Sequence, residues 1–593
     1  MRDSVSLINS QSKIQNPKSK IQNPKSLPLV RVIIPRVRKI VTAAEMREID
    51  ALTTERFAVP SLLLMENAAA AAARAIAARL SHEVGGRRVQ ILCGRGNNGG
   101  DGAALARALW TLGAHVDVVL FGRVEETKGD ALVNFRIARH LSSFDAGSSR
   151  RPPPLSFVEC LDIAAWETLA SARHGYDVIV DALFGTGLTR PLEGVFPKVV
   201  AHLELLRASR EHARQALPLF VSLDLPSGLD ADSHLPIGPT VHADMTVTFT
   251  APKPANVLPP ASHFGGQLIV AHIGSPHSLV EAAPSKLFLT EAEDARAWLE
   301  ATRYAPGSYK NTHGHALVVA GSRDMTGAAV LCADAAICAG AGLVTVATPQ
   351  SALPVVAARL MPEVLTASLK ETEVGSVASE ASAELKKLTE RATVVAVGCG
   401  LSRASESTRR FVREVVETRT TPVVVDADGL NALAPWPAEL KGTRECPIIL
   451  TPHEGEMLRL LGAQERSALK ERATVVADFA ARHKLVVLLK GARTLVAAPD
   501  GSVHVNPTGN AGLGTAGSGD TLTGIITGFI AQAFATLRDK ADAAEATVAA
   551  VYVAGLAGDL AARELGMRAL VASDVREFLS AAVRALDPLG EMP

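Results

Sequence analysis

Two stretches of this chain are nearly bare of side chains and run up to an acid. Residues 510–520 read NAGLGTAGSGD, with four glycines and two alanines before Asp520. Backbone N–H groups in such a loop can approach an anion closely, and a helix starting there adds its positive end. Asp520 then stands where an acceptor hydroxyl would lie, within reach as a general base for phosphoryl transfer. Far upstream, residues 94–102 read GRGNNGGDG. That loop has neither the GxGxxG spacing of a dinucleotide site nor the lysine of a P-loop. Asn97, Asn98 and Asp101 offer amide and carboxylate oxygens instead.

Each loop has companions. In the second half, LKGART (489–494) places Lys490 at a strand end, suited to a nucleotide phosphate, with Thr494 nearby. DADGLNAL (426–433) brings Asp426, Asp428 and Asn431, TPHEGEM (451–457) brings His453 and Glu456, and GCGL (398–401) follows another strand. In the first half, DALFGTGLTRPLEG (181–194) begins with Asp181, and SLDLPSGLDAD (222–232) carries Asp224 and Ser227. Carboxylate, amide and hydroxyl oxygens converging there could hold a hard monovalent or divalent cation. Taken singly, each reads as a capping acid or a surface lysine. Taken together, they gather on one edge if the strands are parallel, because ligands bind at the carboxyl ends of such strands.

The elements that must position them form a repeated β-then-α rhythm. Strands are expected at 88–94, 115–121, 176–184, 218–226 and 244–250, with a weak one in GQLIVAHI (266–273). The rhythm restarts at 315–322, 343–349, 392–400, 421–429, 447–452 and 485–491, and 494–507 reads as a hairpin turning at Asp500-Gly501. Near-continuous apolar strands alternating with helices predict parallel sheets covered on both faces. A length of 593 residues exceeds one ordinary core, and the domain boundary is placed near 275–290. Residues 12–25 repeat SKIQNPK in tandem, too polar to bury a core, so 1–39 reads as a disordered basic tail.

Composition excludes several classes. Lys+Arg and Asp+Glu number 61 each, and aromatics make up 4%, so neither charge nor stacking surface favours nucleic acid or an anionic membrane. The longest uncharged stretch, 521–537, falls short of a membrane span and reads as a buried helix. Six cysteines without CxxC spacing read as reduced core residues of a cytoplasmic protein.

With these motifs in order, the second half resembles the ribokinase-like superfamily, and within it the ADP-dependent NAD(P)H-hydrate dehydratases. The resemblance implies nucleotide phosphates on Lys490, Gly491, Ala492, Arg493, Thr494 and Gly519. It implies the hydrated nicotinamide near Ala328, Gly400, His453 and the catalytic Asp520. Glu454 departs from a family pattern that often has proline there. Residues 42–275 resemble the NAD(P)H-hydrate epimerases through PSLLLMENAA (60–69), GRGNNGGDG, DALFGTGL and DLPSGLDAD. That resemblance implies potassium on Asn98, Asp181 and Ser227. It implies substrate contacts from Asn97, Asn98, Gly99, Gly100 and Asp101, and from Gly185, Thr186, Gly187, Leu188, Thr189, Arg190 and Pro191. Asp224 would be both a contact and the acid/base.

The expected fold is α/β in two domains: an N-terminal Rossmann-like three-layer domain (40–275) and a C-terminal ribokinase-like three-layer domain (291–590), joined by a linker at 276–290. The implied ligands are the hydrated cofactors NADHX and NADPHX, potassium in the first domain, and ADP with magnesium in the second. A homo-oligomer is expected, with no nucleic-acid or membrane partner. Two other readings compete. A kinase for a small vitamin alcohol would share the GSGD site but leave the front half unexplained. A non-catalytic front half would serve as a binding module.

Overall fold

The computed structural model describes residues 38–143, 154–172, 175–216 and 218–587. The tandem heptads at 12–25 lie outside the described residues. In the first half the strands are β1 (Arg38–Ile40), β2 (Arg88–Cys93), β3 (His115–Phe121), β4 (Leu155–Cys160), β5 (Val178–Ala182), β6 (Leu219–Leu223), β7 (Met245–Phe249) and β8 (Gln267–Ala271). Seven of them pair in the order β4-β3-β2-β5-β6-β7-β8, all parallel. Strands β5, β6 and β7 are buried at every position, which is why their sequences show no polar alternation. One face is covered by helices Ser61–Arg79, Asn97–Thr111 and Gly129–Ser142. The other is covered by Ile163–Ala172 and Phe196–His212. Strand order reverses between β2 and β5, and a crevice opens there at the carboxyl ends.

The second sheet takes β9 (Leu287–Leu289), β10 (His315–Val319), β11 (Leu343–Pro349), β12 (Leu365–Leu369), β13 (Val394–Val397), β14 (Val423–Val425), β15 (Ile448–Leu450), β16 (Val486–Leu489), β17 (Leu495–Ala497) and β18 (Val503–Val505). Among the described residues its order is β1-β9-β18-β17-β16-β15-β14-β13-β10-β11-β12. The stretch from β16 to β12 is parallel, and β17–β18 is the expected hairpin, with Gly501 at φ 84° in its turn. Here the order reverses between β13 and β10. Helices Thr326–Cys338 and Ser518–Thr536 pack on one face so closely that a Cβ at Gly524 would lie 2.1 Å from the Cys332 carbonyl oxygen. That approach fixes the start of the second helix, and Asp520 with it.

Three expectations change. Arg38 and Lys39 are not tail: β1 pairs antiparallel with β9, so a strand preceding the first domain lies in the second domain's sheet. The segment 276–290 is not an open linker, since it holds a helix, His277–Ala282, and β9. The edge strands β4 and β12 escape a sequence reading because most of their residues are partly exposed and carry no apolar run. Two helices, Ser61–Arg79 and Ala543–Leu565, are long and apolar enough to cross a membrane by length and composition; both bury apolar residues against the sheets. All six cysteines are free, four of them buried.

The two domains meet along the segment after β7. Val257 is 2% exposed and belongs to the apolar cluster of the second domain, with Leu258 and Leu268 packed beside it. His234 faces Glu471 across the same boundary at 3.8 Å.

Candidate active sites

The first site lies in the crevice between β2 and β5. Helix Asn97–Thr111 starts directly after β2 with Gly96 as its cap. Asn98 donates from Nδ2 to the Phe184 carbonyl at 2.9 Å, while its Oδ1 is buried without a hydrogen-bond partner. Asp181 is buried and accepts four bonds: from Ser227 Oγ (2.6 Å), Ser227 N (2.8 Å), Ser222 Oγ (3.0 Å) and Leu183 N (3.2 Å). Burial still pushes its carboxyl above the ordinary range, against those donors. Ser227 Oγ also accepts from Phe184 N at 3.0 Å. Asn98, Asp181 and Ser227 therefore meet around the Phe184 backbone.

Asp224 stands at the carboxyl end of β6 with φ 62°, a left-handed conformation uncommon for aspartate. Its own backbone is tied down by Asp224 N to Val247 O (2.8 Å) and by Asn256 Nδ2 to Asp224 O (3.1 Å). Its carboxylate accepts from Lys253 Nζ (2.7 Å) and Thr248 Oγ1 (3.1 Å) on one oxygen, and from Thr186 N (3.2 Å) on the other. Gly185 is so near that a Cβ there would lie 2.9 Å from Asp224 Oδ2. The loop 185–191 thus reaches the acid through its first residues. Further along it, the Leu188 side chain is buried in the core with Phe121 and Trp166. Asn97, Gly187, Thr189, Arg190 and Pro191 are exposed, and Gly99, Gly100 and Asp101 are buried in the first turns of helix Asn97–Thr111.

Two residues of this site were missed in the sequence. Lys253 is 1% exposed and bonds Asp224, Thr248 Oγ1 (2.9 Å) and Phe249 O (3.2 Å). It stands four residues after β7, where Asp224 directly follows β6, a positional signal hidden in the proline-rich 251–285 stretch. Asp50, on helix Ala43–Phe57, has a buried Oδ1 without a partner. Burial pushes its carboxyl up to about 6, with Lys253 opposing and Asp224 reinforcing. Asp101 is raised well above its ordinary value by burial, then by Asp224 and Asp50. The sequence signal for Asp50 is an acid on the apolar stripe of its helix, beside buried Met46, Ile49 and Thr53.

The second site lies across the carboxyl ends of β13 to β16. Gly517, at φ 85°, caps helix Ser518–Thr536, a conformation glycine adopts without penalty. The first N–H groups of that helix lack intrahelical acceptors, and Ser518 Oγ is buried without a partner. Lys490 Nζ donates to Asp426 Oδ1 at 2.8 Å and faces Glu456 Oε2 at 3.8 Å. Burial pulls the lysine's pKa down, yet Asp426 and Glu456 outweigh it and the net shift is upward. A Cβ at Gly519 would lie 3.4 Å from Lys490 Nζ, so the lysine and the GSGD loop share one pocket. Asp426 Oδ2 accepts from Thr523 Oγ1 at 2.7 Å. Ligand atoms of Cys399, Asp426 and Asp520 lie within 4.8 Å of one another. Burial pushes Asp520 up, with Asp426 reinforcing and the Cys399 hydrogen bond and Lys490 opposing. Ala427, next to Asp426, sits at φ 49°, a second strained residue at a site.

Ala328 and Gly400 adjoin at the β10/β13 reversal, where a Cβ on Gly400 would come 2.8 Å from Ala328 Cβ. His453 caps helix Glu454–Leu460, its Nδ1 accepting from Gly455 N (3.0 Å) and Glu456 N (3.3 Å). It lines a cavity of about 650 Å³ with Lys490, Gly491 and Ala492. Arg493 is turned to Pro507 O (2.8 Å), and Thr494 Oγ1 donates to Gly491 O (3.1 Å), closing the loop on itself.

The sequence matches the NAD(P)H-hydrate dehydratase family over residues 316–580 and the YjeF-related protein N-terminus over 61–255. It is 40% identical over 548 residues to a bifunctional NAD(P)H-hydrate repair enzyme of Moorella thermoacetica, covering 92% of this chain and 97% of that one. It is 37% identical over 549 residues to the corresponding protein of Thermofilum pendens, with the same two coverages. Among solved structures, an ADP/ATP-dependent NAD(P)H-hydrate dehydratase of Bacillus subtilis, co-crystallised with ATP and Mg2+, superposes with a TM-score of 0.42 and 32% identity, covering 50% of this chain and 98% of that one. Both halves are matched in order and the relatives are covered almost end to end, so the chain belongs to the bifunctional NAD(P)H-hydrate repair enzyme family.

Proposed function

We propose that the chain repairs hydrated nicotinamide cofactors with two active sites. The first interconverts the R and S forms of NAD(P)H hydrate at C6. The second removes water from the S form at the expense of ADP, giving AMP and phosphate. The observation that carries this reading is an acid in each ligand crevice, beside a glycine loop that opens a helix: Asp224, which adjoins Gly185 together with Asn98, and Asp520 after Gly517.

In the second site the chemistry needs a better leaving group than hydroxide. Asp520 takes the proton of the C6 hydroxyl as that oxygen attacks the β-phosphorus of ADP, and AMP departs. Phosphate then leaves C6, a proton leaves C5, and the C5–C6 double bond of the dihydropyridine returns. A carboxylate raised by burial is a stronger base than one in water. Charge on the moving phosphoryl meets the N–H groups at 517–520 and Lys490, fixed in place by Asp426 and Glu456. A magnesium ion travelling with the nucleotide would be held on the Asp426 side of this cluster and would supply positive charge to the phosphates. Cys399 is no ligand for it, since its hydrogen bond to Cys332 and its burial keep it a thiol.

In the first site Asp224, held by Lys253 on one oxygen and Thr186 N on the other, passes a proton to the C6 hydroxyl as it leaves as water; the ring nitrogen's electron pair forms the C6 iminium, and water re-adds from the opposite face and returns the proton. Potassium fits the neighbouring residues. Asn98 Oδ1 is a buried oxygen without a protein partner, and the Phe184 carbonyl and Ser227 hydroxyl stand beside it, a hard all-oxygen set. Asn98 and Ser227 would hold the ion, with Asp181 orienting Ser227 and adding negative charge. The ion would supply a fixed positive charge to the substrate.

The reading is tested by two variants assayed through the absorbance of the restored nicotinamide ring. Asp224→Asn should end turnover of R hydrate and leave S hydrate turnover intact. Asp520→Asn should end ADP-dependent dehydration while ADP still binds. Undiminished R-hydrate consumption in the first variant would overturn the assignment of Asp224.

A further inference from the structure

The 650 Å³ cavity beside Lys490 is not built by the second domain alone. Its lining joins His453, Glu454, Gly455, Lys490, Gly491 and Ala492 to two arginines, Arg466 and Arg472, and to Pro259 and Pro260 of the first domain. None of these arginines or prolines was singled out by the motifs. Arg472 opens helix Arg472–His483, and its guanidinium lies over the KGART loop, where a Cβ at Gly491 would come 2.8 Å from Nη2. Nη1 faces Glu454 Oε1 at 3.5 Å. Nε and Nη2 are buried and have no hydrogen-bond partner.

We infer that Arg472 is a phosphate receptor of the nucleotide site, and that the first domain's Pro259–Pro260 pair completes the wall opposite it. The inference rests on reading this cavity as the nucleotide's. Leaving two guanidinium donors buried and unpaired is costly, so a buried polar group of this kind requires an explanation. Nε and Nη2 together form one edge of the guanidinium fork, the edge that donates to two phosphate oxygens in parallel. Lys490 has its charge shared between Asp426 and Glu456, so it cannot be the cavity's sole answer to a diphosphate. Arg466 and Arg472 supply the remaining positive charge. Glu454, which replaces the family's usual proline, gives Arg472 a counter-ion on the side away from the free edge. The prolines give an apolar surface suited to a base or ribose. Their position is set from the first domain, because the same short segment anchors Asn256 on Asp224 and buries Val257 in the second domain's core.

The test is calorimetric binding of ADP and of adenosine to the full chain. Arg472→Ala should weaken ADP binding about tenfold or more and leave adenosine binding unchanged. Arg472→Lys, which keeps the charge and the packing but loses the fork, should recover only part of the affinity. Pro260→Ala should weaken both ligands, because the wall it trims faces the nucleoside. ADP affinity within twofold of the parent in Arg472→Ala would overturn the inference while leaving the nucleotide reading standing. Equal losses for ADP and adenosine in the arginine variants would overturn the assignment to phosphate. Failure of the parent chain to bind ADP would overturn the nucleotide reading and the inference together.

Discussion

Replacing Asp50 by asparagine tests the electrostatics of the first site directly. Asp50 Oδ1 is buried without a partner, and the carboxyl is pushed from 3.8 up to about 6, first by burial. Lys253 only partly offsets this, because Asp224 already holds that lysine at 2.7 Å. The folded protein therefore binds this proton more tightly than the unfolded chain does. Stability is unaffected well below pH 3.8, falls as pH rises through the interval to 6, and carries the full cost above it. A shift of about two units, at about 1.4 kcal/mol each, puts that cost near 3 kcal/mol at pH 8 and about half that at pH 5. Asparagine keeps the shape and carries no charge. Asp50→Asn should thus stabilise the first domain by up to about 3 kcal/mol at pH 8 and about 1.5 kcal/mol at pH 5. Equilibrium urea unfolding at both pH values, read by hydrogen exchange of peptides from β2 to β8, separates this domain from the second. A gain that is equal at the two pH values, or a loss at pH 8, would refute the reasoning.

Lys253→Met leaves Asp224 Oδ1 buried with only Thr248 Oγ1 as partner; the first domain should lose about 3–5 kcal/mol, and R-hydrate kcat should fall with little change in KM, both measurable on the full chain. Exchanging potassium for a large organic cation should slow epimerisation and spare S-hydrate dehydration. Asn98→Ala should reproduce that loss and abolish the response to added potassium, as seen in initial rates across a potassium titration.

The parallel sheets were legible because their strands are apolar throughout, and the acids were legible by their place against them: Asp224 and Asp426 directly follow β6 and β14, Asp181 is the penultimate residue of β5, and Asp520 opens helix Ser518–Thr536 after its glycine loop. What escaped was set by packing between distant segments. Lys253 is recognisable only once β7 brings it beside β6, and Asp50 only once its helix folds over the crevice. Arg472 carries no motif, and its role depends on a cavity that Pro259 and Pro260 of the first domain help to line.

The joining of the two activities is built into the chain path. Hydration gives both epimers, and a site that consumes one depends on a supply from the other. Here the dependence has a structural counterpart in eight residues. Lys253 and Asn256 hold the acid of the first site, Val257 lies in the second domain's core, and Pro259 and Pro260 line the second site's cavity. Strand β1, which precedes the first domain, closes the edge of the second domain's sheet through β9. A boundary drawn near residue 290 therefore separates neither the sheet nor the cavity. A chain beginning at 291 carries the GSGD loop, Lys490 and Arg472, but it lacks β1, β9 and the proline wall. Each catalytic constellation belongs to one domain, while the surfaces that shape the second belong to both.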